Sequence, residues 1–357
     1  MRKIESITAR PVNVPLARPI RTAVGHLPTA PLVLVDVRTS DGVVGSAYLF
    51  AYKANLLKPL VATVEAVGGE VIDERADPFF ISRRLELSFR LFGRQGLVAL
   101  AMSGIDMALW DIAARAQNLP LARMLGGMER PIPAYDSFGI IDIAADRGDI
   151  ERSVQRGFRA IKIKIGGGAV EEDIARVKAV REIIGDGVAL MVDYNQSLDA
   201  AEACRRIERI REYDLAWVEE PVLAEDLAGH HRVRATTGMR IQTGENWTFP
   251  EQMEKAIRAG ASDYAMPDVQ KIGGVTGWMK AAALAEAARL PVSSHVFTEA
   301  SAHLLAVTPT AHWLEWMDKA GPLLQEPQTV AQDGTVTARG PGLGMAWDEK
   351  AVARFAA

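Results

Sequence analysis

The sequence predicts an α/β fold: an eight-stranded (β/α) barrel preceded by a smaller α+β domain. Three observations predict it. From Ile132 to Trp316, short β-branched apolar runs alternate with amphipathic helical runs, the texture of parallel strands joined by helical crossovers. Successive runs end on ionisable residues that recur in phase: Lys164, Asp193, Glu219, Glu245, Asp268, His295 and Glu315, in steps of 20 to 29 residues. Ahead of them stands a β-hairpin pattern followed by three helical stretches, without the strand–helix alternation.

The first unit is residues 1–125. Ile4 to Val14 alternates loosely, as a half-buried strand does. Pro31 to Arg38, a turn at Ser40-Asp41-Gly42 and a return from Val43 to Phe50 read as a hairpin. Leu56 to Val67 is helical. Asp77 caps a second helix that begins with Pro78, and Gly96 to Gln117 is the third and longest. The barrel is residues 126–319. Its strands are expected at Ile132–Phe138, Ala160–Ile165, Ala189–Asn195, Leu215–Pro221, Arg240–Glu245, Tyr264–Asp268, Pro291–Val296 and His312–Trp316. Helices lie between them, for example Glu171–Ile184, Ala200–Glu212, Pro250–Ala259 and Gly277–Leu290. The competing open sheet would carry GxGxxG after its first strand; Gly166-Gly167-Gly168 lacks that pattern. Residues 320–357 contain no barrel unit and are expected to pack back on the first domain.

Composition excludes several classes of function. At 48% apolar and 24% charged, the chain reads as an ordinary folded protein. A net charge of −4 argues against nucleic-acid binding, which needs a basic surface. Cys204 is the only cysteine, so no internal disulfide and no cysteine-based zinc site can form, and it is expected to be inert. The most apolar stretch, Gly96 to Ala116, is interrupted by Asp106 and Asp111, and the N-terminus lacks a signal-like run. The expectation is a cytoplasmic protein with no membrane partner. His230 and His231 are expected on a solvated face, His303 and His312 in packing, and Trp110, Trp217, Trp278 and Trp347 in the core.

A barrel delivers the C-terminal ends of its strands to one rim, where chemistry is placed. Asp193, Glu219 and Glu245 end consecutive strands, and three carboxylates form an all-oxygen donor set suited to Mg2+. Glu220 points the opposite way along its strand and is expected to be a supporting group. Lys162 and Lys164 share one strand face while Ile161, Ile163 and Ile165 occupy the other, so the lysines point inward. Two adjacent ammonium groups depress one pKa, which makes a usable base. Asp268 beside His295 fixes the imidazole tautomer and raises its pKa. Glu315 is expected to be a protonated acid that hydrogen-bonds a substrate carboxylate. Two bases flanking a cation suit one problem, removal of a proton α to a carboxylate.

At these residues the chain resembles the mandelate racemase subgroup of the enolase superfamily, over its whole length. The resemblance rests on KIKIG, VDYNQSLD, VEEP, GENW, MPDVQKIGGVTGW and SSHVFTE, together with PVNVPL, TAVG, YLFAY and AYDS nearer the N-terminus. These segments are most similar to those of the racemase that gives the subgroup its name. The resemblance implies a modified (β/α)7β barrel, with the last helix lost, under an α+β capping domain. It implies Mg2+ on Asp193, Glu219 and Glu245. Lys164 would act on one substrate enantiomer and His295, paired with Asp268, on the other. Lys162 and Glu315 would bind the substrate carboxylate, joined by Ser137. Asn195 would sit on the α-hydroxyl side, and Lys271 and Glu220 would support the site. Relatives resembling muconate-lactonizing enzymes and dipeptide epimerases carry a lysine at the place of Asp268, so the His–Asp pair marks the subgroup.

The substrate pocket implied by the resemblance comprises Ile20, Val24 and Leu27 in an apolar capping loop, with Tyr52, Phe138, Val296 and Met317 near the site. The same loop carries Arg21 and His26, which favour a polyol chain and hence a second expectation, dehydration of an acid sugar. A non-catalytic metal-binding scaffold would require a broken constellation, and every position is intact. The resemblance also implies a homo-oligomer, such as an octamer, acting on a small carboxylate.

Overall fold

The computed structural model describes residues 2–23 and 25–357. The N-terminal domain is a three-stranded antiparallel sheet in the order β1 (Ile4–Thr22), β2 (Gly25–Thr39), β3 (Val44–Phe50). The strands run further than the sequence pattern shows. The segment read as a capping loop is the far end of the β1–β2 hairpin, with Ile20 opposite Leu27 and Arg21 opposite His26. A register shift between Pro15 and Ile20 sets residues 16–19 of β1 against Pro28 alone. Val24 lies outside the described residues.

Both faces of this sheet are covered, which is why Leu32, Val33, Leu34 and Val35 are all buried and do not alternate with polar residues. The helices α1 (Leu57–Gly69), α2 (Pro78–Ser88) and α3 (Leu97–Arg115) follow. Asp77 caps α2 by accepting the Phe80 N–H at 3.0 Å. Leu49 of β3 packs on α3 beside Gly104. On the opposite face of β3 the Tyr48 hydroxyl donates to Glu299 at 2.8 Å, and the Phe50 N–H donates to Gln270 at 2.9 Å.

The sequence reading excluded α3 as a membrane-length segment because of Asp106 and Asp111. By length and composition this helix does qualify, but it is the buried central helix of the cap. Its two acids are tethers. Asp106 accepts the Thr276 N–H at 2.9 Å from the barrel. Asp111 accepts the Ser46 N–H at 2.9 Å and the Leu343 N–H at 2.6 Å, and pairs with Arg115 at 2.5 Å.

A short α4 (Leu121–Met124) leads into the barrel. Its strands are β4 (Ile132–Ser137), β5 (Ala160–Lys164), β6 (Ala189–Asp193), β7 (Leu215–Glu219), β8 (Ile241–Thr243), β9 (Tyr264–Ala265) and β10 (Leu314–Trp316). Adjacent strands are parallel, and β10 returns to pair with β4. The crossovers are α5 (Arg147–Gln155), α6 (Val170–Ile184), α7 (Ala200–Ile210), α8 (Leu227–Thr237), α9 (Phe249–Ala259), α10 (Gly274–Ala288) and α11 (Thr298–Ala306). No helix follows β10 in the barrel. The chain passes through a 3-10 turn at Gly321–Leu323 and an extended connection to β11 (Thr335–Val336), antiparallel to β4, and then to α12 (Glu349–Arg354).

One expected strand is irregular. Pro291–Val296 bridges its neighbours, Ala265 with Val292, Val292 with Ala311 and Asp268 with His295, and the Ser293 and Ser294 N–H groups donate to the Ala265 and Trp313 carbonyls. Pro291 has no N–H to give to a ladder. Val296 and Phe297 take positive φ of 41° and 50°, which turns the chain out of the extended path. Inside the barrel Tyr135, Ala160, Met191 and Trp217 form their own apolar cluster, while Ile161, Ile163 and Ile165 pack outward in the main core.

The four tryptophans singled out from the sequence are buried. His303 is buried too, its Nδ1 accepting the Ala122 N–H at 3.1 Å. His230 is not on a solvated face: it is buried, with Nδ1 at 3.0 Å from the Asp226 carbonyl one turn back. The C-terminal segment returns to the first domain. The Trp347 indole donates to Asp36 at 2.8 Å, and the Asn13 N–H donates to the Phe355 carbonyl at 2.8 Å.

Asp111→Ala strips two buried N–H groups and Arg115 of their acceptor. It should destabilise the protein by about 3 kcal/mol or more, against about 1 kcal/mol for loss of the cap in Asp77→Ala. Urea denaturation followed by tryptophan fluorescence reads the difference; equal losses would mean that Asp111 is no tether.

Candidate active site

Strand register builds the site. Lys164 of β5 lies beside Asp193 of β6, which lies beside Glu219 of β7. Register partners on parallel strands share a face, so the three side chains meet at the inner rim. Lys162, one pleat deeper, is fully buried. Its ammonium donates to Glu219 and to Glu315 Oε1 at 2.9 Å, and it lies 5.2 Å from the Tyr135 ring centroid. Lys164 donates to Asp193 Oδ2. Glu245 follows Gly244, whose φ is 139°; a Cβ there would come within 2.9 Å of the Trp247 ring and the Met266 nitrogen. Only glycine permits that turn.

Asp193, Glu219 and Glu245 each present an oxygen within 4.8 Å of the others. Burial pushes Glu219 up to about 7, and Asp193, Glu315 and Glu245 push the same way against Lys162. A divalent cation relieves that crowding, and the all-oxygen donor set fits Mg2+. The ligands are also pre-oriented. Trp217 Nε1 and Gln242 Nε2 donate to Glu219 Oε2 at 3.1 and 3.0 Å. The Asn195 backbone and amide nitrogens donate to Asp193 at 2.7 and 3.0 Å. The sequence placed Trp217 in the core and did not mark Gln242; Trp217 stands two residues before Glu219 on the same strand face, which was the available signal, and Gln242 is the register partner of Glu219 on β8.

At the other end of the triad, His295 Nδ1 lies 2.6 Å from Asp268 Oδ2 and Nε2 lies 3.3 Å from Glu245 Oε2. Burial lowers the imidazole pKa, but Glu245 and Asp268 outweigh it and raise it. Lys164 departs from the sequence expectation of a depressed pKa. Burial and Lys162 do lower it, yet the Asp193 carboxylate holds the ammonium above its ordinary value. A cation held by Asp193 draws on that same carboxylate and leaves the two lowering effects in place.

Glu315 is not the protonated donor expected. Burial favours the neutral acid, but Lys162 and His295 hold its carboxyl well below the usual range. It accepts from Lys162 and from the Val296 N–H at 3.0 Å. Glu220 does not face away either. It lies just past the end of β7 with a φ of 37° and is buried at the rim. Burial and Glu245 push its pKa well up. The Asn246 amide donates to Glu220 at 3.0 Å and accepts from Lys271 at 2.8 Å, and Lys271 lies 4.7 Å from the Tyr52 ring centroid. Asn246 was missed, although it adjoins Glu245 in GENW.

The implied pocket residues are divided. Ile20, Ser137, Phe138 and Met317 line a cavity of about 420 Å3 between the hairpin, α5 and the segment after β10. None of the triad or the two bases lines it. Leu27 pairs with Ile20, and Val296 is buried beside the site, joined through its backbone to Glu315. Among the described residues, the buried Ser137 Oγ and Asn195 Oδ1 have no hydrogen-bond partner. Arg21 reaches Asp146 at 3.5 Å instead of the site.

Residues 4–126 match the family described as mandelate racemase/muconate lactonizing enzyme, N-terminal domain, and residues 146–351 match the one described as enolase C-terminal domain-like. Among solved structures, an enolase from Bradyrhizobium complexed with magnesium and mandelic acid is 50% identical, with a TM-score of 0.97 over 100% of this chain and 99% of that one. A racemase from Streptomyces coelicolor with bound magnesium is 31% identical, with a TM-score of 0.93 over 99% of this chain and 100% of that one. The L-talarate/galactarate dehydratase of Salmonella typhimurium is 32% identical over 98% of this chain and 90% of its own length.

Glu245→Gln should weaken Mg2+ binding at least ~10-fold, and Asn246→Ala, which only releases the supports, about 10-fold. Calorimetric titration with MgCl2 measures both. Unchanged affinity in Glu245→Gln would remove Glu245 from the metal site.

Proposed function

This chain belongs to the mandelate racemase/muconate lactonizing enzyme family of the enolase superfamily, and from that premise we propose a Mg2+-dependent racemase of a small 2-hydroxy acid, mandelate or a near relative. One observation carries the reading. The two groups able to move a proton stand at opposite ends of the carboxylate triad, Lys164 on Asp193 and His295 on Glu245.

Asp193, Glu219 and Glu245 would hold Mg2+, which would supply positive charge against the substrate carboxylate and make its α-proton more acidic. Lys162, held in place by its pair with Glu315, supplies positive charge beside that carboxylate, and the Ser137 hydroxyl offers a donor. Such preorganised groups need no rearrangement as charge develops. Neutral Lys164 Nζ takes the α-proton from one face. His295, protonated and oriented by Asp268, returns a proton from Nε2 to the opposite face. For the other enantiomer the roles reverse: neutral His295 takes the proton and the Lys164 ammonium gives one. Protons balance in both directions, and each turnover leaves the bases in the state that the reverse reaction needs. The Bradyrhizobium relative complexed with mandelic acid supports an aryl hydroxy acid as substrate.

A second reading is favoured by the Salmonella dehydratase and by the pairing of His295 with Asp268. If the substrate carries a β-hydroxyl, protonated His295 can deliver its proton to that leaving group. The product is then a 2-keto acid.

In D2O with Mg2+, both enantiomers of mandelate should exchange the α-proton and racemise, as read by proton NMR and chiral chromatography. Lys164→Ala and His295→Asn should each abolish racemisation, while the remaining base still exchanges the α-proton facing it. Full racemisation in either variant would rule out the two-base scheme. No exchange on mandelate, with keto acid formed from a panel of aldonic and aldaric acids, would establish dehydration instead.

A further inference from the structure

The two proton-moving groups stand on unlike supports. Lys164 ends a regular ladder in which β5 and β6 pair residue for residue, from Ala160 opposite Ala189 to Lys164 opposite Asp193. His295 stands in the irregular strand, bridged to Asp268 at a single position. Directly after it, Val296 and Phe297 take positive φ of 41° and 50°. Two consecutive residues with side chains in the left-handed region, the first of them β-branched, persist only where their surroundings over-determine them.

Barrel groups hold the backbone of this turn. The Val296 N–H donates to Glu315 at 3.0 Å, and the Ser301 hydroxyl and N–H donate to the Val296 and Phe297 carbonyls at 2.7 and 2.8 Å. The Phe297 side chain is held by the cap. Tyr48 of β3 stacks on it, with ring centroids 4.8 Å apart and an angle of 25° between the planes. The Tyr48 hydroxyl donates at 2.8 Å to Glu299, in the first turn of α11, and all three side chains are buried. Tyr48 thus grips the turn on both sides of Thr298. The hydrogen bond fixes the direction of its ring, and the stack passes that direction to Phe297. Glu299 is a costly residue at this interface: burial and Asp318 push its pKa up to about 7. An apolar side chain would pack there without that cost, whereas a buried carboxyl calls for a donor, and the cap supplies one.

We propose that Tyr48 is a positioning residue for His295: through Phe297 and Glu299 the capping domain fixes the turn that carries the imidazole, while Lys164 is positioned by the β5–β6 ladder. This rests on the two-base reading of the site. Its consequence is one-sided. Without the grip of Tyr48 the turn relaxes and Nε2 shifts against the substrate's α-carbon, and proton transfer falls steeply with such shifts. Lys164 keeps its place.

The test uses the full-length Mg2+-loaded protein and both enantiomers of mandelate in D2O. The enantiomer facing His295 is the one whose α-proton exchange survives Lys164→Ala. Tyr48→Phe, which keeps the ring, should slow exchange of that enantiomer about 10-fold or more and leave exchange of the other at its wild-type rate. Glu299→Ala should do the same, and the double variant should be no slower than either single one. Glu299→Gln, which keeps an acceptor for the hydroxyl, should stay close to wild type. Asp106→Ala cuts a different tether between cap and barrel; it should lower the melting temperature without changing the ratio of the two exchange rates. Amide hydrogen exchange read by mass spectrometry checks the linkage without turnover: Tyr48→Phe should speed exchange over residues 294–301 and leave β5 and β6 unchanged. Equal slowing at both faces, no slowing at the His295 face, additive losses in the double variant, a changed ratio in Asp106→Ala or unchanged amide exchange over 294–301 overturns the proposal. No α-proton exchange in wild type, with the amide result as expected, would overturn the racemase reading and leave the hold of Tyr48 on the His295 turn standing.

Discussion

Everything at the rim depends on holding a crowd of carboxylates together out of water. Asp193, Glu219, Glu245, Asp268 and Glu315 are each at most 9% exposed. Where water is excluded, like charges repel over longer distances and burial favours the neutral acid. The protein answers each acid with a placed cation or donor. Lys162 is the centre of this arrangement: fully buried, it ties β5 to β7 through Glu219 and to β10 through Glu315. A closed parallel barrel permits this, because strands distant in sequence face one another across its interior.

The capping domain is attached by the same means. Its sheet is apolar on both faces, yet it is fastened by polar groups: Tyr48 to Glu299, Phe50 to Gln270, Asp106 to Thr276. Such bonds fix direction as well as distance, so Phe50 and Tyr52 are held over the rim in one orientation. Apolar packing alone would tolerate sliding.

Much of this was legible in the sequence because the repeat of a strand–helix unit is set by element lengths. The recurrence from Lys164 to Glu315 therefore located the rim, and the alternation of lysine and isoleucine in β5 located its inside. What was illegible depends on partners from other strands. The charge state of Glu315 is decided by Lys162 and His295, and the direction of Glu220 by a backbone that turns left-handed just past β7. The strand expected at Pro291–Val296 is irregular for a local reason, Pro291 at one end and positive φ at the other. The extended hairpin was hidden because Pro15, Pro19 and Pro28 read as loop, although a proline on an edge-facing bond is compatible with a strand.

The register shift near the base of that hairpin has a consequence for how such proteins diverge. From Ile4 to Pro15 the β1–β2 ladder belongs to the sheet of the cap, while beyond the bulge the outer arm meets the barrel, with the Ile140 N–H donating to the Arg21 carbonyl and Arg18 paired with Asp136. Residues gained or lost at the end of the outer arm, beyond those contacts, leave the pairing below them undisturbed. The tip of the arm can therefore lengthen, shorten or exchange side chains over generations without disturbing the carboxylate rim below, so the two regions are free to change at different rates.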